Sequence, residues 1–166
     1  MIRLTDQNGV GLIEVLVAVL LLSIAVLGFS ALQMRAISAT DESLVRTQAL
    51  SIIRGLAENM RANSQQIATY ETTINDQARA AKPCTQCTAK EIAINESVAV
   101  VKQLESYGIK VKMNACPGTA NFSEVKCVIA AWGDTIAEMD ATNANACADA
   151  TGIYKSGSNC IIVETY

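Results

Sequence analysis

From Val10 to Leu32 the chain reads VGLIEVLVAVLLLSIAVLGFSAL, and Glu14 is its only charge. Few folds accommodate such a run. As a helix, about 18–20 apolar residues cover the roughly 30 Å hydrocarbon layer of a bilayer. The remainder of a 166-residue chain makes a modest core and no more, so the run must meet lipid or other copies of itself. The absence of His removes the commonest general base and the commonest metal ligand together. A net charge of -3 leaves no basic footprint for nucleic acid. A soluble cytosolic enzyme fits none of this.

Helical spacing continues past Leu32. Met34, Ile37, Val45, Ala49, Ile52, Ile53, Leu56 and Met60 recur at the intervals of one helix face, while Arg46, Arg54, Glu58 and Arg61 fill the rest. No Pro interrupts residues 1–82, and Gly28 and Gly55 weaken the pattern without ending it. The spacing predicts one helix from Val10 to Asn63, roughly 80 Å long at 1.5 Å per residue. Four stretches follow: residues 1–9, residues 10–32 as an all-apolar helix, residues 33–63 as its amphipathic continuation, and residues 64–166 as a globular head.

Within the head, residues 64–82 are polar and rich in Ala, Thr and Gln, which predicts a loop or frayed helix ended by Pro83. Residues 90–106 place Ile94, Val98, Val101 and Leu104 on one face of a short amphipathic helix that closes at Tyr107-Gly108. Strands are predicted at Ile109 to Ala115, Val125 to Trp132 and Cys160 to Tyr166. The turn-rich Pro117-Gly118-Thr119-Ala120-Asn121 between the first two suggests a hairpin, and residues 133–159 read as a long loop. Trp132 and Tyr107 read as packing residues, and Lys110 and Lys112 as a solvated face or an edge guard. The fold class is α+β: a long helix packed on a small antiparallel sheet with disulfide-stapled loops.

All six cysteines, Cys84, Cys87, Cys116, Cys127, Cys147 and Cys160, lie beyond the apolar run. An even set in a small tethered domain reads as disulfides formed in an oxidising compartment, which puts residues 1–9 in the cytoplasm and the head outside. Cys84-x-x-Cys87 also invites a redox reading as a membrane-anchored thiol oxidoreductase, against which stands its place in a Pro- and Thr-containing loop ahead of a helix. A single CxxC without His makes a poor zinc site. Cys116 and Cys127 flank the proposed hairpin turn, which leaves Cys147 with Cys160. Six cysteines nevertheless admit fifteen connectivities. No nucleophile–base pair, phosphate loop or carboxylate dyad stands out, so no catalytic residue, metal or cofactor is assigned.

Glu14 is the sharpest single feature. A carboxylate at the centre of a membrane helix costs about 2.5–3.5 kcal/mol on insertion scales and less near the interface. It either snorkels to the headgroups or has a positive partner on another helix. Gly9 followed by VGLIEVLVAVLLLSI resembles the class III signal of type IV pilins. That resemblance implies cleavage by prepilin peptidase between Gly9 and Val10, methylation of the new Val10 terminus, and a role for Glu14, the fifth mature residue, in subunit assembly. The family usually has Phe or Met first and Thr second, where this chain has Val10 and Gly11. The run Glu58-Asn59-Met60-Arg61-Ala62-Asn63, the segment Ile13 to Ala18 and a strand ending in Trp132 resemble the PilV-type minor pilins. An ordinary secretory signal cut near Gly28-Phe29-Ser30 competes for the same residues, but its apolar run would be long, its stub barely basic and Glu14 misplaced.

The resemblance implies a minor pilin that initiates or caps a type IV pilus serving motility, adhesion or DNA uptake. Its partners would be other minor and major pilins through the amino-terminal helix, prepilin peptidase, the inner-membrane assembly machinery and a tip adhesin. The chain would cross the inner membrane once, with its head in the periplasm, before moving to the pilus. A type II secretion pseudopilin shares the whole amino-terminal argument.

Overall fold

A computed structural model describes residues 11–119 and 125–165. The predicted leader and cleavage pair Gly9–Val10, the turn residues Ala120 and Asn121, and Tyr166 at the end of the last predicted strand lie outside those residues. The first element is α1, Leu12–Ala62, which carries both Gly28 and Gly55 within it. The chain divides into two compact units at Ser43/Leu44, so α1 contributes to both.

Among the described residues of the first unit, the helix is exposed on all sides. The large apolar side chains from Leu12 to Leu32 are 49–79% exposed. Its hydroxyls hide their polarity by bonding back one turn: Ser23 Oγ donates to the Val19 carbonyl at 2.8 Å and Ser30 Oγ to that of Val26 at 2.9 Å.

The second unit is built on the distal part of α1. Ala49, Ile53, Leu56, Ala57 and Met60 are buried there, while Arg54, Glu58 and Arg61 face out. Where a loop or frayed helix was predicted, a 3₁₀ turn over Ser64–Gln66 leads into α2, Ile67–Asn75. Tyr70 and Ile74, four residues apart, are both buried in the core. Tertiary packing of that pair outweighs the weak helix preference of the Thr-rich sequence between them. The Tyr70 hydroxyl donates to the Glu96 carboxylate. Burial, with that carboxylate next, pushes the Tyr70 pKa well above the ordinary tyrosine range.

Helix α3 spans Ala89–Ser106 and opens on a capping box in which Thr88 Oγ1 accepts from Glu91 N–H while Glu91 accepts from Thr88 N–H at 2.9 Å. It closes at Tyr107, after which Gly108 takes φ 71°, and Gly108 N–H and Ile109 N–H bond to the Glu105 and Leu104 carbonyls at 2.9 and 3.0 Å. The buried face is Ala93, Ser97, Val98, Val101 and Leu104, with the predicted Ile94 only half-buried. Tyr107, predicted to pack, is 46% exposed.

Strands β1 (Lys110–Ala115), β2 (Lys126–Ala131) and β5 (Cys160–Glu164) form an antiparallel sheet in the order β1-β2-β5. Lys112 lies opposite Ile129, and Ile129 opposite Ile162. Residues 133–159, predicted as a loop, contain two further strands, β3 (Ile136–Met139) and β4 (Ala146–Ala148), paired in parallel. Their position explains β2. Val128 and Ala130 join the core under the helices, whereas Ile129 and Ala131 join a second cluster with Ala137, Cys147 and Cys160. The central strand is thus buried on both faces, which is why its sequence KCVIAA shows no alternation. Lys112, predicted to be solvated, instead pairs with Glu138 of β3.

Candidate assembly helix and the bridged head

Two arrangements carry the candidate function. The first is the amino-terminal part of α1. Gly11 supplies the carbonyl that accepts from Glu14 N–H at 2.9 Å and Val15 N–H at 3.3 Å, which places Glu14 in the first turn. A carboxylate there meets the positive end of the helix dipole. Its side chain is exposed among Leu12, Ile13, Val15, Leu16 and Val17, themselves exposed. From Val15 to Met34 no other charge occurs. Among the described residues this is the one helix long and apolar enough to cross a membrane. Such a surface can enter lipid or bury itself against similar helices. In either place Glu14 is the group that is costly to leave unsolvated and unpaired.

The second arrangement is the set of clasps that fix the head. Three bridges join Cys84 to Cys87, Cys116 to Cys127 and Cys147 to Cys160, the nearest-neighbour pairing. The second closes the end of the β1–β2 hairpin next to the Cys116 N–H bond to the Val125 carbonyl at 2.7 Å. The third ties β4 to β5 and so fastens the second layer to the sheet. The first lies just ahead of α3, with Cys87 immediately before the Thr88 cap. Only Thr88 separates Cys87 from α3, which begins at Ala89 rather than at residue 90.

Other polar residues at element ends do similar work. Asn75, the last residue of α2, uses its amide to accept from Met113 N–H at 3.0 Å and to donate to the Met113 carbonyl at 2.7 Å, occupying the outer edge of β1. Tyr154 does this on the opposite edge, where its hydroxyl oxygen accepts from Ile162 N–H of β5 at 2.8 Å. Arg79 donates to the Thr73 and Ile74 carbonyls at 3.4 and 3.1 Å, capping α2, and pairs with Glu105 at 2.9 Å. Lys126 of β2 pairs with Glu71 at 2.7 Å. A cleft of about 330 Å³ beside β1 is lined by Arg79, Glu105, Lys110, Val111 and Lys112. Arg79 and Lys112 are already committed to ion pairs with Glu105 and Glu138. In the loops, Asp140 accepts from the N–H and hydroxyl of Thr142 at 2.7 and 2.8 Å, and Asp149 accepts from the Thr151 hydroxyl and Ile153 N–H at 2.6 and 3.0 Å. These bonds hold both carboxyls below the ordinary aspartate range. The bond from Thr88 N–H does the same for Glu91.

An uncovered apolar helix with a carboxylate in its first turn, continued into a small α+β head closed by disulfides, is the build of a type IV pilin. A family model described as Type IV pilin Tt1218 matches residues 31–152, and one described as the prokaryotic N-terminal methylation motif matches residues 4–30. The chain belongs to this family, the Tt1218-like type IV pilins. Among curated proteins and among solved structures, nothing matches it.

The sequence singles out Glu14 by its position and the six cysteines by their number, and the structure pairs those cysteines. The sequence does not single out Asn75, Arg79 and Tyr154, whose signal is slight: a polar residue at a helix end, and one aromatic in a polar loop.

Proposed function

We propose that this pilin is a minor pilin of the PilV type, acting at the initiation or tip of a type IV pilus. Prepilin peptidase removes residues 1–9 by cutting between Gly9 and Val10, and the Val10 terminus is methylated. Until assembly, residues 10–32 anchor the protein in the inner membrane with the head in the periplasm. On assembly the same surface is buried among the helices of other minor and major pilins, residues 33–63 continue the helix, and residues 64–166 face outward. The observation that supports this reading is Glu14, a lone carboxylate among exposed apolar side chains on a helix long and apolar enough to cross a membrane. Inside a helix bundle an unpaired charge is costly, and the new amino terminus of a neighbouring subunit is a positive group that relieves it. The inner-membrane assembly machinery and a tip adhesin are the further partners of this role. Its contribution is structural; motility, adhesion or DNA uptake belongs to the filament.

The test is the mass and amino terminus of the mature protein made with and without prepilin peptidase. A Val10 terminus that appears only with the peptidase supports the processing step. A terminus near residue 31 would mean secretion by an ordinary signal and would remove the role of Glu14. Deletion of the gene then separates pilus from secretion system, because lost piliation supports the proposal and lost exoprotein secretion with intact pili identifies a type II pseudopilin.

A further inference from the structure

The three disulfides are not equivalent. Cys116, Cys127, Cys147 and Cys160 are 5, 2, 0 and 3% exposed, and their bridges join strands or adjoining turns of the core. Cys84 is half-buried and Cys87 is exposed, and their bridge spans only three positions in sequence. We propose that Cys84–Cys87 is a thiol–disulfide exchange site, in which the thiolate of a partner thiol attacks Cys87 and Cys84 departs as the leaving thiolate, while the other two bridges stay closed.

Geometry assigns the two roles. Exchange requires access to the attacked sulfur and a stabilised leaving sulfur. Cys87 is the accessible one, placed immediately before the Thr88 N-cap of α3. Cys84 is the more enclosed, and Asn95 Nδ2–H points at its Sγ from 3.6 Å, a donor in place for the thiolate that forms. In the first step the incoming thiolate bonds to Cys87 Sγ, the Cys84–Cys87 bond breaks, and its electron pair leaves on Cys84 Sγ. A second thiolate then attacks the partner's sulfur in the mixed disulfide and releases Cys87. Together the two steps oxidise a dithiol, or two monothiols, to a disulfide and reduce this bridge by two electrons.

The surroundings are built to outlast the opening. Asn95 accepts from Lys82 N–H at 2.7 Å and donates to the Lys82 carbonyl at 2.9 Å, which holds the chain entering the CxxC. The capping box at Thr88 and Glu91 holds the chain leaving it, and Asn63 Nδ2 donates to the Ala89 carbonyl at 2.8 Å. None of these bonds passes through a sulfur. The loop therefore keeps its frame when the bridge opens, and a closure this short restrains the unfolded chain least of the three. The exchange is stoichiometric between this chain and a thiol partner.

The experiment exposes the full-length protein in detergent micelles to reduced glutathione as a monothiol probe, quenches with an alkylating agent, and locates adducts by peptide mass. The expected result is glutathione on Cys87 and alkylation on Cys84, with both buried bridges intact and Trp132 fluorescence unchanged. Opening should be about tenfold or more faster than at either buried bridge. Adduct chiefly on Cys84, or three bridges opening at one rate, would overturn the proposal. Asn95→Asp keeps an acceptor for Lys82 N–H but replaces the donor beside Cys84 with a charge. Slower opening at unchanged Trp132 fluorescence supports the leaving-group assignment, and an unchanged rate removes it. Where that variant fails to fold, the adduct position in the native chain still decides.

Discussion

The proximal and distal parts of α1 are one continuous helix with opposite relations to their own chain. Between Leu12 and Leu32 every large apolar side chain is exposed, and between Leu44 and Ala62 the innermost apolar residues are buried. The proximal part is the more apolar of the two, but that alone does not set an inward side. Charge placement does. In the distal part Arg46, Arg54, Glu58 and Arg61 mark an outer face and leave Ala49, Ile53, Leu56 and Met60 as one inward stripe. The proximal part has no polar face to give direction, so its whole circumference is available to lipid or to other helices. A helix builds a core for its own domain only when its sequence specifies an outside.

The sharpest way to break this contrast is to make one truncation in both parts. Leu56→Ala should lower the stability of the head by about 2–5 kcal/mol, read from the loss of Trp132 near-ultraviolet dichroism on heating in micelles. Leu20→Ala should leave that transition where it is. Equal shifts would mean that the proximal helix contributes to the head. Next in size, replacing both Cys116 and Cys127 by Ser should cost about 2–3 kcal/mol, because the bridge closes a short hairpin loop. Denaturant titration against the native chain measures it, and loss of cooperativity would show that the second layer detaches as well.

A smaller effect is expected from Asn75→Ala, about 1–3 kcal/mol for leaving the Met113 edge groups without their amide partner. Its more telling readout is association of heads at high concentration, followed by light scattering with Leu20→Ala as the control. The smallest effect is acid sensitivity. Asp140, Asp149 and Glu91 have folded-state pKa values held down by hydrogen bonds, so their stabilisation is complete above the unfolded-state carboxylate range. It falls away as pH drops below about 4, through the folded values. Asp149→Asn should flatten that part of the pH–stability curve, and a curve unchanged by it would show that these bonds do not couple to folding.

The long helix was legible in the sequence because its signals are local: an unbroken apolar run, then helical spacing without Pro. Strands β1, β2 and β5 were legible for a similar reason, with Val, Ile and Met in short runs between turn residues. Residues 136–148 were not. Ala137, Met139 and Cys147 become strand because they cover Ile129 and Ala131 from the far side, a relation that exists only after the sheet has formed. Helix α2 was hidden in the same way, since Tyr70 and Ile74 are meaningful only against α3 and β1. Glu14 stood out as an anomaly of position. Asn75 and Tyr154 are ordinary residues whose importance comes from lying beside a strand edge that another part of the chain creates.

Those edge contacts bear on valence. A linear polymer needs subunits that join through one kind of surface, and a second adhesive surface turns a growing fibre into a network. An uncapped three-stranded sheet offers two such surfaces, each able to add a strand from any neighbour at the densities found where subunits are stored and loaded. The Asn75 amide on one side and the Tyr154 hydroxyl on the other occupy backbone groups at these outlets. Each takes up edge groups that a strand of a neighbouring head would otherwise use, so the head carries fewer points from which a fibre could branch.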